Sequence, residues 1–215
     1  MYLILIGAPG SGKGTQAKRL VEYFDIDHIS TGDMLRSTAA EDSPVGRMVK
    51  QTLDEGNLVS DELVAQLVDQ RLDQLAGGNG FVMDGYPRTA PQANTFDQSL
   101  ARHGLDLSAT LLIEVDDDTV VARISGRRID PQTGQIYNLD DNGDIPAEIR
   151  ARLQQREDDT EEVMRARLRV YHGQIAPVSA HYQNKNLLLR LDGATPPEEV
   201  FAEILRQLEA ITRPG

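Results

Sequence analysis

The stretch richest in chemistry is Gly7-Ala8-Pro9-Gly10-Ser11-Gly12-Lys13-Gly14-Thr15. Two glycines, Gly7 and Gly12, stand with four residues between them, and Lys13 follows the second, as in a phosphate-binding loop. Glycines let the backbone curl with its N–H groups turned inward, which makes a nest for an anion. A helix that follows such a loop aims its positive N-terminus at the same point. Lys13 adds a full charge within reach of the outer phosphates. Position 14 is glycine where serine or threonine usually stands, and Thr15 comes one residue later. The hydroxyl that would contact Mg²⁺ is thus absent or displaced, which counts against a direct protein ligand for that ion.

A second cluster is Asp84-Gly85-Tyr86-Pro87-Arg88, directly after the apolar run Phe81-Val82-Met83. At the end of a strand in an open parallel sheet, Asp84 can hold Mg²⁺ through water, because that ion keeps much of its hydration shell. Arg88 can clamp a phosphate opposite Lys13. Read alone, the cluster also fits a strand-ending turn with a surface arginine; beside the phosphate loop it reads as part of one site. Further arginines follow at 36, 123, 127, 128, 156, 165, 167 and 169. Arg165 and Arg169 read as solvated helix-face residues, with Glu161 and Arg165 at i,i+4 spacing. Arg127 and Arg156 flank a turn-rich segment at either end, so closure of that segment swings both towards the phosphates. Such a set suits phosphoryl transfer, where positioning and electrostatic stabilisation carry the reaction.

These residues need a scaffold. The run 2–6 is apolar throughout and reads as a strand buried on both faces, with a helix over 15–24 after the loop. Further strands are expected at 27–30, 81–84, 111–115 and 187–191, with helices at 61–75, 91–103 and 118–123. Strands alternating with helices imply a parallel sheet covered on both faces. Two segments break the rhythm. Residues 30–59 open with Ser30-Thr31-Gly32-Asp33, a capping box for a short helix carrying Arg36. Residues 126–162 contain the turn-rich Asp130-Pro131-Gln132-Thr133-Gly134 and Asp140-Asp141-Asn142-Gly143-Asp144, with little apolar content, and read as a small mobile lobe. Asp159 with Glu162 fits the N-terminal cap of the long helix after it.

The 215 residues carry a net charge of −12 and no cysteine, which excludes disulfides and thiolate zinc sites. The acidic balance argues against nucleic-acid and anionic-membrane partners. No secretory or membrane-spanning pattern is visible, and the reading is a soluble, cytoplasmic protein.

Together the stretches Gly7 to Gln16, Ser30-Thr31-Gly32-Asp33-Met34-Leu35-Arg36, Asp84-Gly85-Tyr86-Pro87-Arg88-Thr89, Gly126-Arg127-Arg128 and Arg156-Glu157-Asp158-Asp159 resemble adenylate kinases of the bacterial type with a long lid. Gly14 is also what this family shows. The resemblance implies a P-loop three-layer α/β/α fold with a five-stranded parallel sheet. It implies a core of 1–29, 60–125 and 163–215, an inserted helical NMP-binding lobe at 30–59 and a lid at 126–162. It implies a monomer with the reversible Mg²⁺-dependent reaction ATP + AMP ⇌ 2 ADP, which maintains adenine nucleotide balance.

By the same resemblance Gly10, Ser11, Gly12, Lys13, Gly14 and Thr15 hold the ATP phosphates. Arg123 and Arg127 meet the ATP adenine and phosphates, with Ile136, Tyr137 and Thr195 alongside. Thr31, Arg36, Asn57, Leu58, Val59, Gly85, Tyr86, Pro87, Arg88 and Gln92 hold AMP. Arg156 and Arg167 bridge both nucleotides, so that Lys13, Asp84, Arg88, Arg123, Arg156 and Arg167 form the catalytic set. Asp84, Asp158 and Asp159 organise Mg²⁺ and its waters or hold the lid. Tyr86-Pro87 is implied to be cis. Some family lids bind zinc through cysteines; this chain has none, and Asp130, Thr133 and Asp144 are candidates for a polar network in its place. Two other functions compete: a UMP/CMP-type kinase, and a nucleotide-responsive module without turnover. The long lid and the Thr31/Gln92 pair favour AMP, and the full set of cations favours turnover.

Overall fold

A computed structural model describes residues 1–55, 59–75, 78–139, 145–155 and 159–212. The chain runs β1 (Tyr2–Gly7), α1 (Lys13–Phe24), β2 (Asp27–Ser30), α2 (Thr31–Ala39), α3 (Pro44–Asp54), α4 (Asp61–Asp73), β3 (Phe81–Asp84) and α5 (Ala90–Arg102). It continues through β4 (Ala109–Glu114), α6 (Asp117–Gly126), β5 (Arg127–Ile129), β6 (Ile136–Asn138), α7 (Ala147–Arg150), α8 (Glu161–Gln183), β7 (Leu188–Asp192) and α9 (Pro197–Thr212).

Helix starts follow local chemistry. Ser30, Ser43, Ser60, Thr89, Asp116 and Thr160 each accept a bond from a backbone N–H three residues on. A cap of this kind contributes ~1 kcal/mol. The last of them corrects the sequence reading. Thr160, not Asp159, caps α8, its hydroxyl 3.3 Å from the Val163 amide. Both residue types cap well; here the Asp159 carboxylate is bonded to Arg127 instead. Helix α1 begins at Lys13, two residues before the expected start, because the chain is already helical once Gly12 has turned.

Five strands form one parallel sheet in the order β2-β3-β1-β4-β7. Alternation along β1 builds both cores. Leu3 and Leu5 face Ala17 and Leu20 of α1 and Ile204 and Leu208 of α9. Ile4 and Ile6 face Val68 of α4, Phe96 of α5 and Val178 and Tyr182 of α8. The architecture is therefore three layers, α/β/α. Leu5 and Ile4 have no exposed surface, so truncating either to alanine costs ~2–5 kcal/mol. β5 and β6 make a separate antiparallel pair, extended by a bridge from Ile129 to Gln154.

The register sets the position of the site. Leu5 pairs with Asp84, Gly7 with Ile113 and Glu114 with Asp192. The loop after β1, the turn after β3 and the turn after β7 therefore share one edge of the sheet. From β1 the chain first builds β2 and β3 on one side, then β4 and β7 on the other. A sheet wound this way opens a crevice beside the switch, at the C-terminal strand ends.

Candidate active site

The loop between β1 and α1 takes the shape its glycines allow. Gly10 and Gly12 have φ of 82° and 98°, in the left-handed region that favours glycine. A Cβ on Gly10 would also lie 2.8 Å from Ile124 Cγ1. Gly12 serves as the N-cap of α1 without any side-chain cap bond. Lys13 folds back over the loop, with Nζ donating to the carbonyls of Gly7 at 2.9 Å and Ala8 at 2.8 Å. Burial pulls the Lys13 ammonium down to about 8; Asp84 opposes the shift, while Arg88 and Arg127 add to it.

That coupling reports the convergence of distant segments. Lys13 feels Asp84 from β3, Arg88 from the following turn and Arg127 from β5. Arg88 in turn is lowered by burial, supported by Asp84, and opposed by Arg167 of α8 and Arg36 of α2. Lys13 and Arg88 thus share the influence of Asp84, while Arg127 and Arg36, within electrostatic reach, are paired with Asp159 and Asp33. Arg88 is oriented by its Nε bond to the Gly85 carbonyl, 2.7 Å. Asp84 is mostly buried, with its backbone carbonyl accepting from the Thr31 hydroxyl at 3.3 Å. His28 Nε2, buried without a hydrogen-bond partner among the described residues, lies 3.6 Å from Asp84 Oδ2. The Asp84 carboxylate offers hard oxygen donors, which fit an ion such as Mg²⁺ held through its waters better than a soft metal.

One narrow cleft is lined by Thr31, Val59, Gly85, Tyr86, Arg88 and Gln92, all expected from the sequence, together with Leu35 and Val64, which were not. Tyr86-Pro87 is cis, as the resemblance implied. Arg36 is paired with Asp33 and is not among the residues that line this cleft. On the opposite side Arg123 reaches the turn after β7, donating to the Gly193 carbonyl at 2.8 Å and the Ala194 carbonyl at 3.4 Å. Thr195 points its hydroxyl back to the Asp192 carbonyl at 3.0 Å. Ile136 is exposed and Tyr137 half-buried on β6.

Arg127 does not lie free above the loop. It forms a two-pronged pair with buried Asp159, Nε to Oδ2 being 2.8 Å. Beyond it, Asp130 and Thr133 do form the expected polar network, with the hydroxyl 3.0 Å from Oδ2. Its strongest member, Arg152, has no local sequence signal and binds Asp130 through Nε at 2.8 Å and Nη2 at 2.7 Å. Arg152 lies 22 positions away, beyond any local spacing rule. Arg165 pairs with Glu161 on the helix surface, as read. Asn57, Leu58, Asp144, Arg156 and Asp158 lie outside the described residues.

Among the described residues no cluster of three or more His, Cys, Asp or Glu side chains converges, and no helix is long and apolar enough to cross a membrane.

A sequence model of a family described as adenylate kinase matches residues 5–187. A relative named adenylate kinase from Finegoldia magna is 44% identical over 213 residues, covering 97% of this chain and 99% of its own. Another so named, from Petrotoga mobilis, is 40% identical, covering 99% of this chain and all of its own. A third, from Vanderwaltozyma polyspora, is 41% identical over 96% of this chain and 95% of its own.

Proposed function

The chain belongs to the adenylate kinase family, and we propose that it carries out ATP + AMP ⇌ 2 ADP with the division of labour that follows. The observation that carries this reading is the glycine loop with Lys13 folded over it, its Nζ on the Gly7 and Ala8 carbonyls, at the same sheet edge as Asp84 and the Arg88 turn. A phosphoryl group in transfer spreads negative charge over its oxygens, and no covalent nucleophile is needed.

The loop from Gly10 to Thr15 cradles the ATP phosphates, and Lys13 turns from the Gly7 and Ala8 carbonyls to the outer ones. Arg123 and the turn at Gly193–Thr195, with Ile136 and Tyr137, border the ATP base. AMP lies in the cleft of Thr31, Val59, Gly85, Tyr86, Pro87, Arg88 and Gln92, with Arg36 on its phosphate and Asn57 and Leu58 contributing by family likeness. Arg156 and Arg167 bridge the two nucleotides. Arginine forks suit this work because they bind phosphate oxygens in pairs. Mg²⁺, held through water near Asp84, supplies charge neutralisation on the phosphates when bound. The residues 30–59 act as the AMP-binding lobe and 126–162 as a lid over the core of 1–29, 60–125 and 163–215. Their closure excludes the water that would otherwise hydrolyse ATP. The protein works as a cytoplasmic monomer that balances the adenine nucleotides.

The direct test is ADP formation from ATP, AMP and Mg²⁺, repeated with UMP in place of AMP. Two ADP per AMP consumed, and far slower turnover with UMP, is the expected result. Nucleotide binding without ADP formation, or faster turnover with UMP, would overturn the reading.

A further inference from the structure

Asp61, which no sequence motif singled out, sits in the first turn of α4 and meets the first turn of α5. Its position invites the reading of a helix-end carboxylate facing the helix dipole. The cap of α4, however, is already made by Ser60, whose hydroxyl accepts from the Leu63 amide. The Asp61 carboxylate is directed elsewhere. Oδ1 accepts from Gln92 Nε2 at 2.6 Å and Oδ2 accepts from the Thr89 hydroxyl at 3.1 Å. The other end of the Gln92 amide, Oε1, accepts from the Arg88 backbone N–H at 2.7 Å.

These partners dictate which way round the amide stands. A carboxylate only accepts and a backbone N–H only donates. Flipping the Gln92 amide would set its oxygen against the carboxylate and its NH₂ against the Arg88 N–H, breaking both bonds. Gln92 is 5% exposed, so neither loss is repaired by water, and an unmet buried polar group is costly. With one N–H and one lone pair engaged, one N–H and one lone pair remain for the cleft. Adenine offers a matching edge: N1 accepts and the 6-amino group donates. Hypoxanthine offers the reverse, with a donating N1–H and an accepting 6-oxygen.

We propose that Asp61 is a specificity-determining positioning residue, which fixes the orientation of the Gln92 amide so that the cleft accepts a 6-aminopurine monophosphate and rejects a 6-oxopurine. The proposal rests on the reading above that Gln92 lines the AMP cleft, and takes its free amide edge to face the base. Asp61 touches no nucleotide in it and acts only through Gln92 and Thr89.

The test compares kcat/KM for AMP and for IMP in the native protein and in Asp61→Ala, Asp61→Asn and Gln92→Ala. A site built around hydrogen bonds rejects a mismatched analogue strongly. Asp61→Ala leaves the amide held by the Arg88 N–H alone, and this loosening is expected to reduce the AMP-to-IMP ratio ~10-fold, mainly through a raised KM for AMP, with kcat and the KM for ATP little changed. Asparagine can present either its oxygen or its nitrogen to Gln92, so Asp61→Asn should fall between, and being nearly isosteric it serves if the alanine variant does not fold. Equal loss on AMP and IMP in the Asp61 variants, alongside a reduced ratio in Gln92→Ala, would show a merely structural role and overturn the proposal. An unchanged ratio in Gln92→Ala would instead remove the premise that Gln92 reads the base, and the proposal with it.

Discussion

Arg127 and Asp159 join the two ends of the segment that carries β5 and β6, the guanidinium Nε standing 2.8 Å from Oδ2 and Nη2 bonded to Oδ1. Thirty-two positions separate the two residues, so the pair closes a long loop at its base. Asp159 is 1% exposed and Arg127 19%. The fork leaves Arg127 aimed rather than floppy, close enough to Lys13 to influence its charge. If Arg127 meets the ATP phosphates as proposed, it is then held near the loop before any nucleotide arrives, which reduces the ordering needed on binding.

Replacing Asp159 by alanine should separate this aiming role from bulk stability. Removing one partner of a fully buried pair costs ~3–5 kcal/mol, and the remaining exposure of Arg127 reduces the expected cost to about 2–3 kcal/mol. If the pair aims Arg127, KM for ATP rises several-fold while KM for AMP is little affected. Steady-state kinetics beside a thermal melt check this. A lowered Tm with both KM values unchanged would make the pair a staple only.

Lys13 carries a prediction about pH. Burial lowers its ammonium to about 8, so at pH 7 it is mostly charged and through pH 8 it loses its proton. Bound phosphates favour the charged form and raise that value again. ATP binding at pH 8 to 9 should therefore take up a proton, and at pH 6 Lys13 should contribute none. Calorimetry in two buffers of different ionisation enthalpy reads the difference directly, and kcat/KM for ATP should fall on the alkaline side with a midpoint near 8. Lys13→Ala should abolish the proton uptake and cut turnover ~10³-fold or more. Because a depressed lysine costs the folded state below about pH 8, a cost relieved as pH rises towards 10.5, that variant should not melt lower at pH 7. A collapse of Tm would assign Lys13 to the fold.

The legible and illegible features of the chain divide by range. The phosphate loop, the β1 run and the capping hydroxyl of Ser30 lie in the sequence as contiguous patterns, because each is fixed by backbone geometry within a few residues. Glu161 and Arg165 were readable for the same reason, four positions apart on one helix. Asp61 on Gln92, Arg127 on Asp159 and Arg152 on Asp130 were not, since each pair lies 22 or more positions apart and meets only after packing. Asp159 shows the failure most plainly. Its type and place fit a helix cap, yet its carboxylate is bonded to a guanidinium 32 positions away and Thr160 is the cap. His28 beside Asp84 follows from the in-register pairing of Ser30 with Asp84, which no local rule supplies.

The Asp130 network predicts how the small antiparallel segment responds to acid and to metal chelation. The Arg152 bonds, with help from the Gln132 amide and the Thr133 hydroxyl, hold the Asp130 carboxyl far below the ordinary carboxylate range, against the cost of burial. A folded value below the unfolded one contributes stability that is present above about pH 4 and is lost only as pH falls through the depressed value. The segment should thus keep its structure at pH 4, where unpaired carboxylates are already half protonated. Asp130→Asn removes the charge that Arg152 grips. Limited proteolysis should then cut within 126–155 faster at pH 7, while the core melts as before, because β1 to β4 share none of these bonds. Since the same positions hold no cysteine, stoichiometric zinc should be missing from metal analysis, and EDTA should leave both the cutting rate and the melt unchanged. Protection lost on chelation, or a cutting rate indifferent to Asp130→Asn, would mean that something other than the Asp130–Arg152 pair holds the segment together.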